Sequence, residues 1–168
     1  MMTPRQCEIA AESYAACLLA QAGYDILVQY GAHQPKYDLV AERGARFLPI
    51  SVKGSQDGAW MLAVKYKTND TTYHQAIEHW LENQRGDVIF CFVQFFGVAL
   101  GELPRAYIAG QVEIASYLKS QCDGRGYGAL QEDCRRQRPG SKYSHKIPDA
   151  WRFSEPRLDA IASQLEIA

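Results

Sequence analysis

Residues 37–55, YDLVAERGARFLPISVKGS, constrain the fold more than any other stretch of the chain. An apolar run at 37–41 meets a charged turn around Gly44, and a second run from Phe47 ends in Lys53, Gly54 and Ser55. Two such runs broken by a glycine-containing polar turn predict a β-hairpin. Side chains alternate between the faces of a strand, so Leu48, Ile50 and Val52 point one way and Phe47, Ser51 and Lys53 the other. Folding about Gly44 and Ala45 places Asp38 opposite Ser51, with Lys53 further along the same face. An aspartate, a hydroxyl and a lysine then share one sheet face, an arrangement that a slip of one residue destroys. Pro49 removes a ladder donor, which predicts either pairing that starts after it or a bulge at that point.

Around the hairpin the pattern alternates between helix and strand. Residues 5–22 predict a helix, with Pro4 at its start, Gly23 at its end, and Cys7, Ala11, Ala15, Leu18 and Ala22 facing inward. Glu8 and Glu12 lie on a neighbouring strip, and no Lys or Arg occurs from Glu8 to Tyr24. For an isolated helix both read as solvated carboxylates. Residues 24–30 and 60–66 predict short strands, and 71–84 a helix capped by Thr71 or Thr72. The most apolar run, DVIFCFVQFF at 87–96, predicts a buried central strand. A strand at 105–109, a helix at 111–120 and a closing helix at 155–167 follow. Between the last two lies a Gly-, Pro- and Arg-rich stretch that reads as a long loop or tail. Trp60, Tyr66, Trp80 and Trp151 read as core or half-buried, the alternative being that aromatics next to Lys65 and Lys67 stack on unpaired bases. His33, His74, His79 and His145 are scattered and read as core or surface, the alternative being that some, with Tyr73, His74 and Gln75 opening the second long helix, face the site cleft.

The whole is an α/β chain of 168 residues, the size of one domain, with a core at about 5–120 and a loop-rich basic remainder at 121–168. Hydrophobic residues make up 47% of it, which favours a folded globular chain over a disordered one. No apolar run approaches the ~18 residues of a membrane span. The N-terminus lacks a secretory layout, and the five cysteines (Cys7, Cys17, Cys91, Cys122, Cys134) show no close pairing. Both features predict a cytoplasmic protein with reduced thiols. Net charge is −1, so the molecule as a whole does not attract polyanions. Arg135, Arg136, Arg138, Lys142 and Lys146, however, form an acid-free basic stretch. It reads equally as a clamp on nucleic-acid phosphates or as a solvated loop balancing Glu132, Asp133 and Asp149.

The helix segment AESYAACLLAQAGYDI, with Glu12 eleven residues before a Gly-Tyr, then YDLVA, then ISVKGS, occur in the order found in one nuclease superfamily. Together they resemble the core of the PD-(D/E)xK superfamily, in its Holliday-junction resolvase-like or small-member flavour, over about residues 8–94. The resemblance implies a restriction-endonuclease-like mixed β-sheet flanked by helices. It also implies phosphodiester hydrolysis on DNA with Mg²⁺ or Mn²⁺ held by Asp38, Glu12 and the backbone carbonyl of Val52. Asp38, Lys53, Glu12 and Ser51 would be the catalytic set, with Lys53 orienting water or countering charge on the phosphate. Many nucleases of this fold act as dimers, so a homodimer is one implied assembly. Ser51 departs from the superfamily pattern, because it stands where a second acid or a glutamine is usual. A neutral oxygen on a short arm weakens metal binding. The alternative is a non-catalytic module of the same fold that binds nucleic acid or a protein partner.

Overall fold

A computed structural model describes residues 1–28, 36–133 and 146–165. The first element is helix α1, Pro4–Gln21, opened by a capping box in which Thr3 and Gln6 satisfy each other's backbone donors. Its buried face is Cys7, Ala11, Ala15 and Leu19. Leu19, not Leu18, therefore completes the inward stripe, as strict four-residue spacing from Ala15 dictates. Strands β1 (Asp25–Val28), β2 (Leu39–Arg43) and β3 (Arg46–Ser55) form an antiparallel meander. The tight turn between β2 and β3 places Gly44 at φ +65°, a conformation in which glycine carries no steric cost. The register pairs Leu39 with Ile50 and Arg43 with Arg46, as the hairpin pattern predicts.

Pro49 is accommodated without a bulge. The Ile50 carbonyl accepts from the Asp38 N–H at 2.8 Å, so Ile50 turns its backbone groups towards β2. Pro49, one residue earlier, turns its donor-less nitrogen the other way, where the ladder begins only at Ile50 paired with Ile89. The ring thus sits where no donor is required.

Strand β4 (Ala59–Met61) and a 3₁₀ turn at Val64–Tyr66 occupy the stretch expected to be one strand. Beyond Met61 the Ala63 N–H donates to the Gly128 carbonyl, Leu62 and Ala63 are buried in the core, and the chain turns at Val64. Helix α2 (Tyr73–Glu82) starts at a second capping box, between Thr72 and Gln75. Strand β5 (Ile89–Gln94) is buried at every position, lying parallel to β3 and antiparallel to β6 (Arg105–Gly110). The main sheet therefore runs β1-β2-β3-β5-β6 and is mixed. Helix α3 (Gln111–Ser120) follows β6 directly.

The C-terminal third is not simply loop. Strand β7 (Ala129–Gln131) pairs with β4 in a second, two-stranded sheet, and α4 (Glu155–Leu165) closes the described chain. A three-residue strand whose partner lies some seventy positions upstream leaves no local pattern to read. Helices cover both faces of the main sheet. Leu39, Ala41, Ile50, Val52, Cys91 and Ile108 meet α1 and α4. Phe90, Phe92 and Tyr107 meet α2, α3 and Trp60, with Leu130, Ile147 and Trp151 completing that side. No helix among the described residues is long and apolar enough to cross a membrane.

Helix α1 crosses β3 at Gly54, where a Cβ would stand 2.9 Å from both the Ala11 Cβ and the Cys7 carbonyl oxygen. Backbone cannot yield as a flexible side chain does, so Gly54→Ala is expected to cost about 1–3 kcal/mol. The urea midpoint of the variant measures this; an unchanged midpoint would mean that helix and strand separate freely at this crossing.

Candidate functional site

The site forms where β2 begins and β3 runs on alone. β2 starts opposite Ile50, whereas β3 continues to Ser55, so the edge of residues 51–55 facing β2 has no strand to pair with. The Asp38 carboxylate fills the first gap. Its Oδ2 accepts from the Val52 N–H at 2.6 Å and from the Ser51 hydroxyl at 3.3 Å. The Lys53 ammonium stands 3.9 Å from the same oxygen. Residues on an extended strand turn their N–H and C=O to the same side, so the Val52 carbonyl faces this gap too. The Val52 side chain is buried on the opposite face of the sheet. At the strand's end the Trp60 indole donates to the Lys53 carbonyl at 2.8 Å, tying β3 to β4.

Asp38, Ser51 and Lys53 line one cleft of about 330 Å³, together with Lys36, Met61, Leu62, Lys65, Trp80, Gln84 and Phe90. The charged lining is three lysines against one aspartate, so the cleft is cationic although the chain as a whole carries −1. A concave, positively lined site concentrates anionic ligands despite the weak overall field.

Glu12 is not among the residues lining the cleft. It sits half-buried on α1, within electrostatic reach of both Asp38 and Lys53. Burial raises the proton affinity of its carboxyl, and the charges of Asp38 and Glu8 raise it further, while Arg5 and Lys53 act in opposition. The bland reading of a solvated helix carboxylate therefore holds for Glu8, which pairs with Arg5 at 2.9 Å, and not for Glu12. Among the described residues no group of three or more His, Cys, Asp or Glu side chains could by itself hold a metal ion.

The basic stretch is only partly in view. Lys146 pairs with Asp149 at 2.9 Å and forms a backbone bridge with Asp133. Arg135, Arg136, Arg138 and Lys142 lie outside the described residues, as do His33 and His145. Glu132 does not balance the basic stretch within the described structure. Its carboxylate accepts from Arg105 at 2.6 Å and from the Tyr107 hydroxyl at 2.9 Å. His74 contacts the Gly124 carbonyl at 2.7 Å, and neither it nor His79 lines the cleft.

Sequence reasoning missed Lys36 and Gln84 as lining residues, and placed Lys65 only beside aromatics that could stack on unpaired bases, not in the cleft with Asp38. Lys36, Lys65 and Gln84 come from a loop, a 3₁₀ turn and the end of α2, and each is an ordinary polar residue in its local context. Only the fold brings them to the hairpin.

No family model matches the chain, and no curated protein matches it in sequence. Among solved structures, the bacterial homing endonuclease I-Ssp6803I aligns over 99% of this chain and 97% of its own, with a TM-score of 0.53 and 15% identity. Hjc, a Holliday junction resolvase from Archaeoglobus fulgidus, aligns over 86% of this chain and 90% of its own, with a TM-score of 0.35 and 14% identity. At 15% identity the likeness to the homing endonuclease is one of fold. The chain has the restriction-endonuclease-like architecture, a mixed sheet flanked by helices, that its helix, YDLVA and VKGS segments resemble.

The raised proton affinity of Glu12 has a signature in stability. A carboxyl that holds its proton more tightly in the fold than in the unfolded chain makes stability fall as pH rises through the interval between the two pKa values. Below the ordinary glutamate range wild type and Glu12→Gln should match, and towards neutrality the variant should be the more stable. Urea midpoints of both across that range test it; parallel curves would place Glu12 in free solvent.

Proposed function

We propose that the protein hydrolyses phosphodiester bonds in DNA with the help of a divalent ion, at the Asp38–Lys53 cleft. The observation that carries this reading is the Asp38 carboxylate docked on the unpaired edge of β3, with the Lys53 ammonium beside it in a cationic cleft. The restriction-endonuclease-like fold supports it.

Asp38, Glu12 and the Val52 carbonyl are the groups that would hold Mg²⁺ or Mn²⁺. They fit such an ion in kind: hard oxygen donors from one or two carboxylates, with water and substrate phosphate completing the shell. Glu12 supports the fit, because its carboxyl already feels the charge of Asp38, and a divalent ion near the two would relieve that repulsion. A bound divalent ion supplies a water of lowered pKa and a counter-charge for the phosphate. Lys53 orients water or neutralises charge on the phosphate. The Ser51 hydroxyl steadies Asp38 and adds only a neutral oxygen, so metal binding is weak, with Mn²⁺ favoured over Mg²⁺. DNA is the substrate and partner in this reading, and Arg135, Arg136, Arg138, Lys142 and Lys146 are its phosphate clamp.

Ser51 also supports a second reading, a binding module of the same fold that lacks the chemistry. Ser51→Glu separates the two. It sets a third carboxylate beside Asp38, which should lower stability without metal and tighten divalent binding in calorimetric titration. In the catalytic reading it also raises or creates Mg²⁺-dependent plasmid nicking, and adding Asp38→Ala abolishes it. A Ser51→Glu protein that folds yet neither binds metal more tightly nor nicks DNA favours the module. Wild-type nicking that survives Asp38→Ala moves the chemistry elsewhere.

The clamp is tested by salt. Replacing two of its five cations by Ala should weaken binding of all duplexes alike and flatten the slope of log affinity against log salt by about 0.9 per lost contact. An unchanged slope makes the stretch a solvated loop.

A further inference from the structure

We propose that the cleft takes a single unpaired nucleotide, so that the preferred substrate is DNA with a base out of the stack at the site of attack. This inference rests on the reading of the cleft as a nucleic-acid site and goes beyond it by naming the form of the substrate.

The cleft is built for more than a phosphate. A phosphate on the outside of a duplex needs cations and donors, which Lys53 and the hairpin edge supply. It has no use for an apolar floor, yet the lining includes Leu62, Trp80 and Phe90, core side chains that are 6%, 4% and 2% exposed and show an edge to the cleft. Met61, which also lines the cleft, is 63% exposed: its backbone pairs with Ala129, while its large apolar side chain is left in water. Thioethers make favourable contacts with aromatic rings, and a nucleobase is such a ring. The cleft volume of about 330 Å³ lies at the small end of ligand pockets, the scale of one planar group with its sugar.

The polar groups are arranged to match. One end of the Gln84 amide is held by the Trp80 carbonyl at 2.7 Å, which fixes the side chain and leaves its other end for the edge of a base. Lys36 and Lys65 have no acidic partner among the described residues. Lys36 donates to the Asn83 carbonyl, and the Lys65 ammonium lies 4.9 Å from the centre of the Tyr66 ring. Two cations without an acidic partner among the described residues, in the lining with Asp38 and Lys53, suit the phosphates on either side of a nucleotide turned inward. A base stacked within an intact duplex cannot reach this floor. An unpaired base reaches it without the cost of breaking a pair.

The test uses the full chain in EDTA, so that binding is read apart from cleavage. Fluorescence anisotropy compares a short paired duplex with the same duplex carrying one bulged 2-aminopurine. The bulged DNA should bind ~10-fold more tightly, the scale of one base stacked on a protein surface, and the emission of its 2-aminopurine should change on binding. Met61→Ala, at an exposed position, and Gln84→Ala should each reduce the ratio of the two affinities. Equal affinity for the two DNAs, or an undiminished ratio in both variants, overturns the proposal. A cleavage assay with Mn²⁺ keeps the two readings separate. Cutting of both DNAs without preference rejects the nucleotide pocket and leaves the nuclease standing. Preference for the bulge without cutting supports the pocket and rejects the nuclease.

Discussion

The hydrogen bond from the Val52 N–H to the Asp38 carboxylate, at 2.6 Å, holds the candidate site together. It exists because β3 outruns β2 and leaves a row of backbone groups without a strand opposite. A buried donor without a partner costs about 1–3 kcal/mol, so the edge must be satisfied by some other group. The side chain of Asp38, the residue just before β2 begins, does this, and in doing so is fixed beside Ser51 and Lys53. The same gap that threatens the sheet thus positions the acid. Everything in the arrangement depends on register: moving β2 by one residue would turn Asp38 to the face covered by α1 and α4.

Charge is organised on the same local scale. The molecule as a whole is nearly neutral, and its surface pairs, such as Arg5 with Glu8 and Lys146 with Asp149, contribute little beyond solvation. Arg105 is different, since its guanidinium and the Tyr107 hydroxyl converge on the mostly buried Glu132 and fasten the second sheet to β6. In the cleft the balance is left uneven, with Lys36 and Lys65 unanswered by acids among the described residues. Uncompensated charge in a concave site is a feature that stability alone does not explain, and it supports a role in binding anions.

Much of this was legible in the chain. The two capping boxes, the Gly44 turn, the alternation that sets Asp38, Ser51 and Lys53 on one face, and the fully buried β5 all follow from spacing within a few residues. They are local consequences of helix and strand periods, so a sequence determines them without reference to the rest of the fold. The pairing of β4 with β7 and the turn within the expected 60–66 strand were decided by packing partners distant in the chain. The same is true of the site. Sequence placed the aspartate, serine and lysine together, because a hairpin carries its register in its own pattern. Only tertiary structure could bring the Glu12 carboxyl into the field of Asp38, and gather Leu62, Trp80 and Phe90 with Lys36, Lys65 and Gln84 around the cleft that Asp38 lines. Those residues meet through the docking of helices on a sheet, and such long-range contacts leave no period in the sequence to reveal them.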